Sequence, residues 1–199
     1  LCPYCGVGCQ LTFNIQDDQI LSVDGRPGPA NRGRLCVKGR YGFDYIHNKD
    51  RLTTPMIRKS DCPKTREISA NPLENFRSAS WAEALEFAAS GLIKVRENDG
   101  GNALAGFGSA KGSNEEAYLV QKLVRTGFGT NNVDHCTRLC HASSVSALME
   151  TIGSGAVTAP FSEAENAEVI IVIGANPTVN HPVAATFIKN AVKAGSTLI

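Results

Sequence analysis

Glu168-Val169-Ile170-Ile171-Val172-Ile173, followed by Gly174-Ala175-Asn176-Pro177-Thr178-Val179-Asn180-His181-Pro182, is the stretch on which the fold turns. Its unbroken, largely β-branched run over 168–173 predicts a strand buried on both faces of a parallel sheet, because a strand with one wet face would alternate. Asn176-Pro177 marks a turn. Pro182 suits the first position of a helix, where its missing N–H has no intrahelical partner to lose, and Gly195 closes that helix after Ala194. Thr197–Ile199 then opens another strand. Strand, helix, strand with buried strands predicts an open, parallel, Rossmann-like α/β sheet.

Upstream the same alternation continues. Ser80-Trp81-Ala82-Glu83 forms a capping box that starts a helix running to about Glu97. Ala103–Phe107 is a short strand, and the glycine-rich Gly108–Gly112 leads to a second capping box at Ser113-Asn114-Glu115-Glu116, whose helix reaches about Phe128. A short segment at Val133–Cys140 and a helix at Ala142–Ile152 follow. Residues 51–79, rich in proline and charge, are expected to be a linker wrapping over a surface. The first 50 residues form a smaller, irregular unit. There Gln10–Ile15 and Gln19–Val23 alternate around Asp17-Asp18 as a β-hairpin, and Asp24–Arg34 is a loop. The expected organisation is therefore 1–50, a linker at 51–79, and an α/β part at 80–199.

Composition excludes several classes. The 199 residues are 42% hydrophobic, enough for one real core. A net charge of +1 without a run of like charge argues against a nucleic-acid surface. No apolar stretch approaches the ~20 residues that span a bilayer. The opening Leu1-Cys2-Pro3 and the closing apolar Thr197-Leu198-Ile199 suggest a piece of a longer chain, since an unpaired strand exposes apolar and backbone groups. Seven cysteines, with Cys2, Cys5 and Cys9 crowded together, suit metal binding in a reducing compartment better than a disulfide framework, and the cytoplasm is the expected location.

Cys2-x2-Cys5-x3-Cys9, with Cys36 a long loop away, offers four thiolates to one site. Short spacings present several sulfurs from one turn of backbone, and a distant fourth closes the cage. Structural zinc usually takes two paired clips instead, so the pattern favours a 4Fe–4S cluster. Gly6 and Gly8 allow the loop to turn tightly and aim amides at sulfur, which tunes the potential. Lys38 places a cation beside this site, although lysines are usually solvated.

The second dense patch is Asn131-Asn132-Val133-Asp134-His135-Cys136-Thr137-Arg138-Leu139-Cys140-His141. Cys140 lies just before a helix, with His141 beside it. Helix-terminal amides and a nearby cation are expected to lower its thiol pKa, although most such cysteines are small buried hydrophobes. The third patch, Gly174–Pro182, lies at the carboxyl end of the buried strand, where α/β sheets bind ligands, and a helix start there favours phosphate. It is not a dinucleotide G-x-G-x-x-G fingerprint.

In this order the three patches resemble the molybdopterin oxidoreductase superfamily, which binds two pyranopterin guanine dinucleotides. Cys2-Pro3-Tyr4-Cys5-Gly6-Val7-Gly8-Cys9 and Leu35–Arg40 are similar to its cluster signature, and Gly174-Ala175-Asn176-Pro177 with His181-Pro182 to a dinucleotide contact. Asn131–His141 resembles the formate dehydrogenase version, with cysteine where some relatives carry selenocysteine. Cysteine-ligated nitrate reductases instead follow the cysteine with methionine. Gly108–Glu116 resembles a formate dehydrogenase pterin loop.

The resemblance implies that Cys2, Cys5, Cys9 and Cys36 hold the cluster and that Cys140 ligates molybdenum or tungsten. It implies His141 at the substrate pocket, Lys38 on the electron path, and Gly174, Asn176 and His181 along a guanine dinucleotide. The implied reaction is formate to CO2. Implied partners are the remainder of the catalytic subunit and, for the NAD-dependent type, iron–sulfur and flavin diaphorase subunits. Cys62, Cys136, His47 and His135 receive no functional role. The competing expectations are a nitrate reductase, a complex I-like electron-transfer subunit without the metal–pterin centre, and a zinc-binding structural domain.

Overall fold

The computed structural model describes residues 1–62, 64 and 71–199. In chain order the elements are β1 (Leu11–Gln16), β2 (Gln19–Gly25), α1 (Val37–Tyr41), β3 (Met56–Arg58), β4 (Phe76–Ser78), α2 (Trp81–Asp99) and β5 (Gly106–Phe107). Then come α3 (Asn114–Lys122), β6 (Val133–Asp134), α4 (Thr137–Cys140), α5 (Ala142–Ile152), β7 (Val169–Ile170), α6 (Pro177–Asn180), α7 (Pro182–Ala194) and β8 (Thr197–Leu198). Short 3-10 turns connect several of them. The fold is mixed α/β.

Two compact units share the chain: Leu1–Arg51 with Val145–Ile199, and Leu52–Ser144. In the first, β1 and β2 pair antiparallel as the expected hairpin, with Asp17 and Asp18 at positive φ in its two-residue turn. That is the backbone a twisted hairpin needs. The helix α7 buries Val183, Ala184, Phe187 and Ala191, a stripe at helical spacing. Val183 and Ala184 share one core with Val7 and Cys9, and Cys2, Cys5, Ala30, Leu35 and Cys36 pack against it. The buried face of α7 thus meets the cysteine loops.

In the second unit β3 and β4 pair antiparallel, joining the two ends of the stretch expected to be a linker. Pro63 and residues 65–70 of that stretch lie outside the described residues. Ser80 caps α2 by accepting from the Glu83 N–H at 3.2 Å. The box is only half made, because the Glu83 carboxylate accepts from Arg77 instead. At α3 both halves form, with Ser113 and Glu116 bonding each other's backbone N–H. The expected helix to Phe128 is regular only to Lys122, and Leu123–Phe128 widens into a π-turn that buries Val124 and Phe128 with Leu104. A Cβ on Gly106 would overlap the Val124 side chain, so glycine lets β5 lie against this core.

Of the expected Rossmann-like sheet, the described residues show two short parallel pairs, β5 with β6 and β7 with β8, each in register over two residues. Of the run expected to be buried on both faces, Val169 is 53%, Ile171 62% and Ile173 85% exposed. The alternate side chains face the other way: Ile170 and Val172 are half-buried, and Val172 lines a cavity with Ala185, Ile188 and Val192 of α7, so α7 covers one face of the run and the other stays uncovered. What survives of the expectation is the strand–helix–parallel strand unit β7–α7–β8.

Candidate functional site

The cysteine loop is shaped by its backbone. Gly6 and Gly8 adopt left-handed φ of 72° and 89°, which side chains resist, and the Cys2 N–H donates to the Cys9 carbonyl at 2.9 Å to close the loop. Cys36 precedes α1, where the buried Gly39 lies so close that an added Cβ would sit 3.4 Å from the Cys2 sulfur. Tyr4 donates its hydroxyl to the Gly42 carbonyl and ties the loop to the end of α1.

The four sulfurs sense one another. Burial first, then the neighbouring Cys2, Cys5 and Cys36, push the Cys9 thiol up to about 11. Four thiolates this crowded repel unless a cation neutralises them, which is what an iron cluster supplies. Cys2, Cys5, Cys9 and Cys36 pack on one core, and four cysteine sulfurs are the ligand set that a 4Fe–4S cluster takes. The donor set fits the cluster.

Sequence reasoning missed the residue that holds this unit together. Asn31 is fully buried, and its amide donates to the carbonyls of Gln10 (3.0 Å), Arg26 (3.2 Å) and Arg34 (2.9 Å) while its oxygen accepts from the Gln10 N–H. It pins the loop leading to Cys36 onto the end of the segment carrying Cys9. Arg32 forms a two-pronged pair with Glu165 and stacks 4.8 Å over Phe187, and Arg34 donates to Thr186, fastening the same loop to α7. An asparagine in a polar loop carries no local signal of such burial. Lys38 sits half-buried in α1, between Cys36 and Gly39.

In the same unit Gly174 follows β7 with φ of 62° and open space where a Cβ would stand. Asn176 is exposed, and its side-chain oxygen accepts from the Thr178 hydroxyl ahead of α6. His181 is half-buried between α6 and α7. The third patch therefore adjoins the helix whose first turn packs against the cysteines.

In the second unit, the carboxyl ends of β5 and β6 bring the Gly108 loop and the Cys140 segment together. The Gly108 N–H donates to the Asp134 carbonyl at 2.8 Å, and the His135 ring lies beside Gly108. Asp134 accepts from the His135 N–H at 2.8 Å and from Arg138 at 2.7 Å, and these bonds hold its carboxyl below the usual range, Arg138 contributing most. The His135 ring nitrogen accepts from the Thr137 N–H at 3.2 Å, setting the first turn of α4. Asn132 donates its amide to the carbonyls of Asn102 and Leu104, fixing the start of β6.

Cys140 and His141 are both exposed. The expectation of a lowered Cys140 thiol pKa is overturned: a hydrogen bond with Cys136, then that thiol's charge, raises it. Cys140 is the last residue of α4, so the nearer helix end presents carbonyls instead of amides.

A glycine-turned loop that gathers four cysteines on one core, Cys9 buried and Cys2, Cys5 and Cys36 part-buried, is the donor set of an iron–sulfur protein. The chain belongs to the molybdopterin oxidoreductase family, whose model matches residues 51–199, with the family's Fe4S4 domain matching residues 1–48. Its cofactors are accordingly a molybdopterin and a 4Fe–4S cluster. It is 39% identical over 97% of its length to a probable oxidoreductase, YjgC, of Bacillus subtilis, covering 18% of that protein. It is 36% identical to formate dehydrogenase H of Escherichia coli and 37% to the F420-dependent formate dehydrogenase 2 subunit alpha of Methanococcus maripaludis, covering 27% of each. The chain thus spans about a fifth to a quarter of these relatives' length. Acetylene hydratase from Pelobacter acetylenicus superposes over 99% of this chain and 26% of its own, with a TM-score of 0.72 at 18% identity, a likeness of fold alone.

Proposed function

We propose that this chain forms the cluster-bearing, metal-ligating part of a formate dehydrogenase that oxidises formate to CO2. The observation that carries the proposal is the Cys140-His141 pair at the carboxyl edge of β5 and β6, beside the Gly108 loop. The similarity to formate dehydrogenases supports it. In this account residues 1–50 form the cluster domain, with Cys2, Cys5, Cys9 and Cys36 as ligands. Residues 80–199 contribute to the pterin-binding part, reached through residues 51–79.

A bis-guanine-dinucleotide molybdenum or tungsten centre, when bound, supplies a soft two-electron acceptor. Cys140 provides the protein's own sulfur to it. Oxidation of formate to CO2 releases two electrons and one proton. His141, next in the chain, holds that proton on a ring nitrogen and passes it to solvent. The half-buried Lys38 lies two residues beyond Cys36 and keeps positive charge beside the cluster as electrons pass. Gly174 leaves its backbone open to a close-lying dinucleotide, with Asn176 and His181 as polar neighbours. Electrons leave to diaphorase subunits carrying iron–sulfur and flavin groups and reduce NAD in the cytoplasm. Among the described residues no helix is long and apolar enough to cross a membrane.

The test is substrate choice in the full-length enzyme. Formate should reduce an artificial dye, and nitrate should not be consumed when reduced dye is supplied. Nitrate turnover without formate turnover would replace this proposal with the nitrate reductase alternative.

A further inference from the structure

Cys136 has no part in the reaction proposed above, yet it faces the most exposed functional thiol of its unit. Cys136 and Cys140 stand one turn apart, with the N–H groups of Leu139 and Cys140 both donating to the Cys136 carbonyl, at 3.1 and 3.0 Å. Residues four apart on a helix hold their Cβ atoms about 5–6 Å apart, and a disulfide needs about 3.5–4.5 Å, so bridging asks for about 1–2 Å of local tightening.

The surroundings allow that movement. The helix α4 is only Thr137–Cys140, and at His141 the backbone leaves helical geometry with φ of −153° and ψ of 35°. Leu139, between the cysteines, is 96% exposed, so no packing resists a shift. Cys140 is exposed and Cys136 half-buried, so a peroxide in solution reaches Cys140 first and Cys136 stands one turn behind it.

We propose that Cys136 is the resolving thiol for Cys140: in the protein without its metal cofactor, a peroxide oxidises Cys140, and Cys136 closes on it as a disulfide within α4. The Cys140 sulfur attacks the peroxide O–O bond, forming an S–O bond and releasing one oxygen as water. The Cys136 sulfur then attacks the resulting sulfenic sulfur, forming S–S, breaking S–O and releasing the second oxygen as water. Two thiols and one hydrogen peroxide give one disulfide and two waters, with two electrons passing from sulfur to peroxide. A bridge formed under strain is readily reduced by a thiol, which restores Cys140 and keeps it from irreversible sulfinic acid. That bridging excludes metal ligation rests on the proposed role of Cys140, because both use the same sulfur.

The experiment uses the full-length protein from cells grown without molybdate or tungstate, treated with hydrogen peroxide, alkylated and digested with trypsin without reduction. Cleavage after Arg125, Arg138 and Lys189 separates the two cysteines, so a bridge links peptide 126–138 to peptide 139–189. The linked pair should dominate in the wild type and vanish after dithiothreitol. In Cys136→Ser, with the cluster's electron paramagnetic resonance signal checked for an intact fold, the link should be lost and Cys140 should accumulate as sulfinic acid. Equal sulfinic acid formation at Cys140 in both proteins, with no linked peptide, would overturn the proposal. Bridging in metal-loaded protein as fast as in metal-free protein would uphold the dithiol but remove Cys140 as metal ligand, which separates the two claims.

Discussion

Around the four N-terminal cysteines the chain builds a closed core, while around Cys140 it builds an open edge. Cys9 is 6% exposed and shares its core with Val183 and Ala184, more than 170 residues later. Cys140 stands on a single helical turn beside a fully solvated leucine. A pre-shaped core lowers the conformational cost of gathering ligands, so the cluster site depends on packing as well as sulfur. On the proposed function the open edge would supply one ligand, Cys140, on a segment oriented by Asp134, His135 and Asn132, and would leave the rest of the shell to the cofactor.

The sharpest way to break this contrast is to remove one sulfur from each side in the full-length enzyme. Cys140→Ala should reduce formate turnover to background while leaving the reduced-cluster electron paramagnetic resonance signal intact. Cys9→Ala should lose that signal and the folded first unit with it. If Cys140→Ala also lost the cluster signal, the two sites would not be separable in this way.

Next in size is a change that touches no cysteine. Asn31→Ala removes a fully buried amide that bonds the backbone of Gln10, Arg26 and Arg34 and should destabilise the unit by about 1–3 kcal/mol, read by thermal unfolding together with cluster retention. Ala184→Leu overfills a fully buried position and should cost about 1–3 kcal/mol by the same readouts, with the Cys140 edge unaffected.

The smallest effect concerns the Arg32–Glu165 pair. Its arginine holds the Glu165 carboxyl below the usual range. A carboxyl whose folded pKa lies below its unfolded value stabilises fully above the unfolded value, about 4.3, and that contribution is lost as pH falls through the folded value. Glu165→Gln should therefore flatten the acid limb of the stability profile slightly and change little at neutral pH. Arg32→Ala should cost more, because it also uncovers Phe187.

Much of this was legible in the sequence, and for definite reasons. The cysteine spacing and the alternation of Gln10–Val23 are local signals, so the grouping of the four cysteines on one core and the hairpin follow from them. The cap at Ser113 is local too and forms in full. The apolar run 168–173 reports only that burial is wanted: α7 meets the face carrying Ile170 and Val172, and nothing local in the run says what covers Val169, Ile171 and Ile173. Asn31 was invisible for the opposite reason: its burial comes from three backbone carbonyls that the fold brings to it. The Cys140 thiol was misjudged because its place at the end of a helical turn, facing Cys136, is a matter of geometry.

The central claim is that the closed core carries iron and the open edge carries the metal that turns over formate. Metal content of the purified full-length protein, measured on the sample assayed for formate-dependent dye reduction, tests it most directly. The account predicts iron together with molybdenum or tungsten, and dye reduction that scales with the second metal across preparations. Iron without molybdenum or tungsten, in a protein inert to formate, would contradict it and leave an electron-transfer subunit in its place.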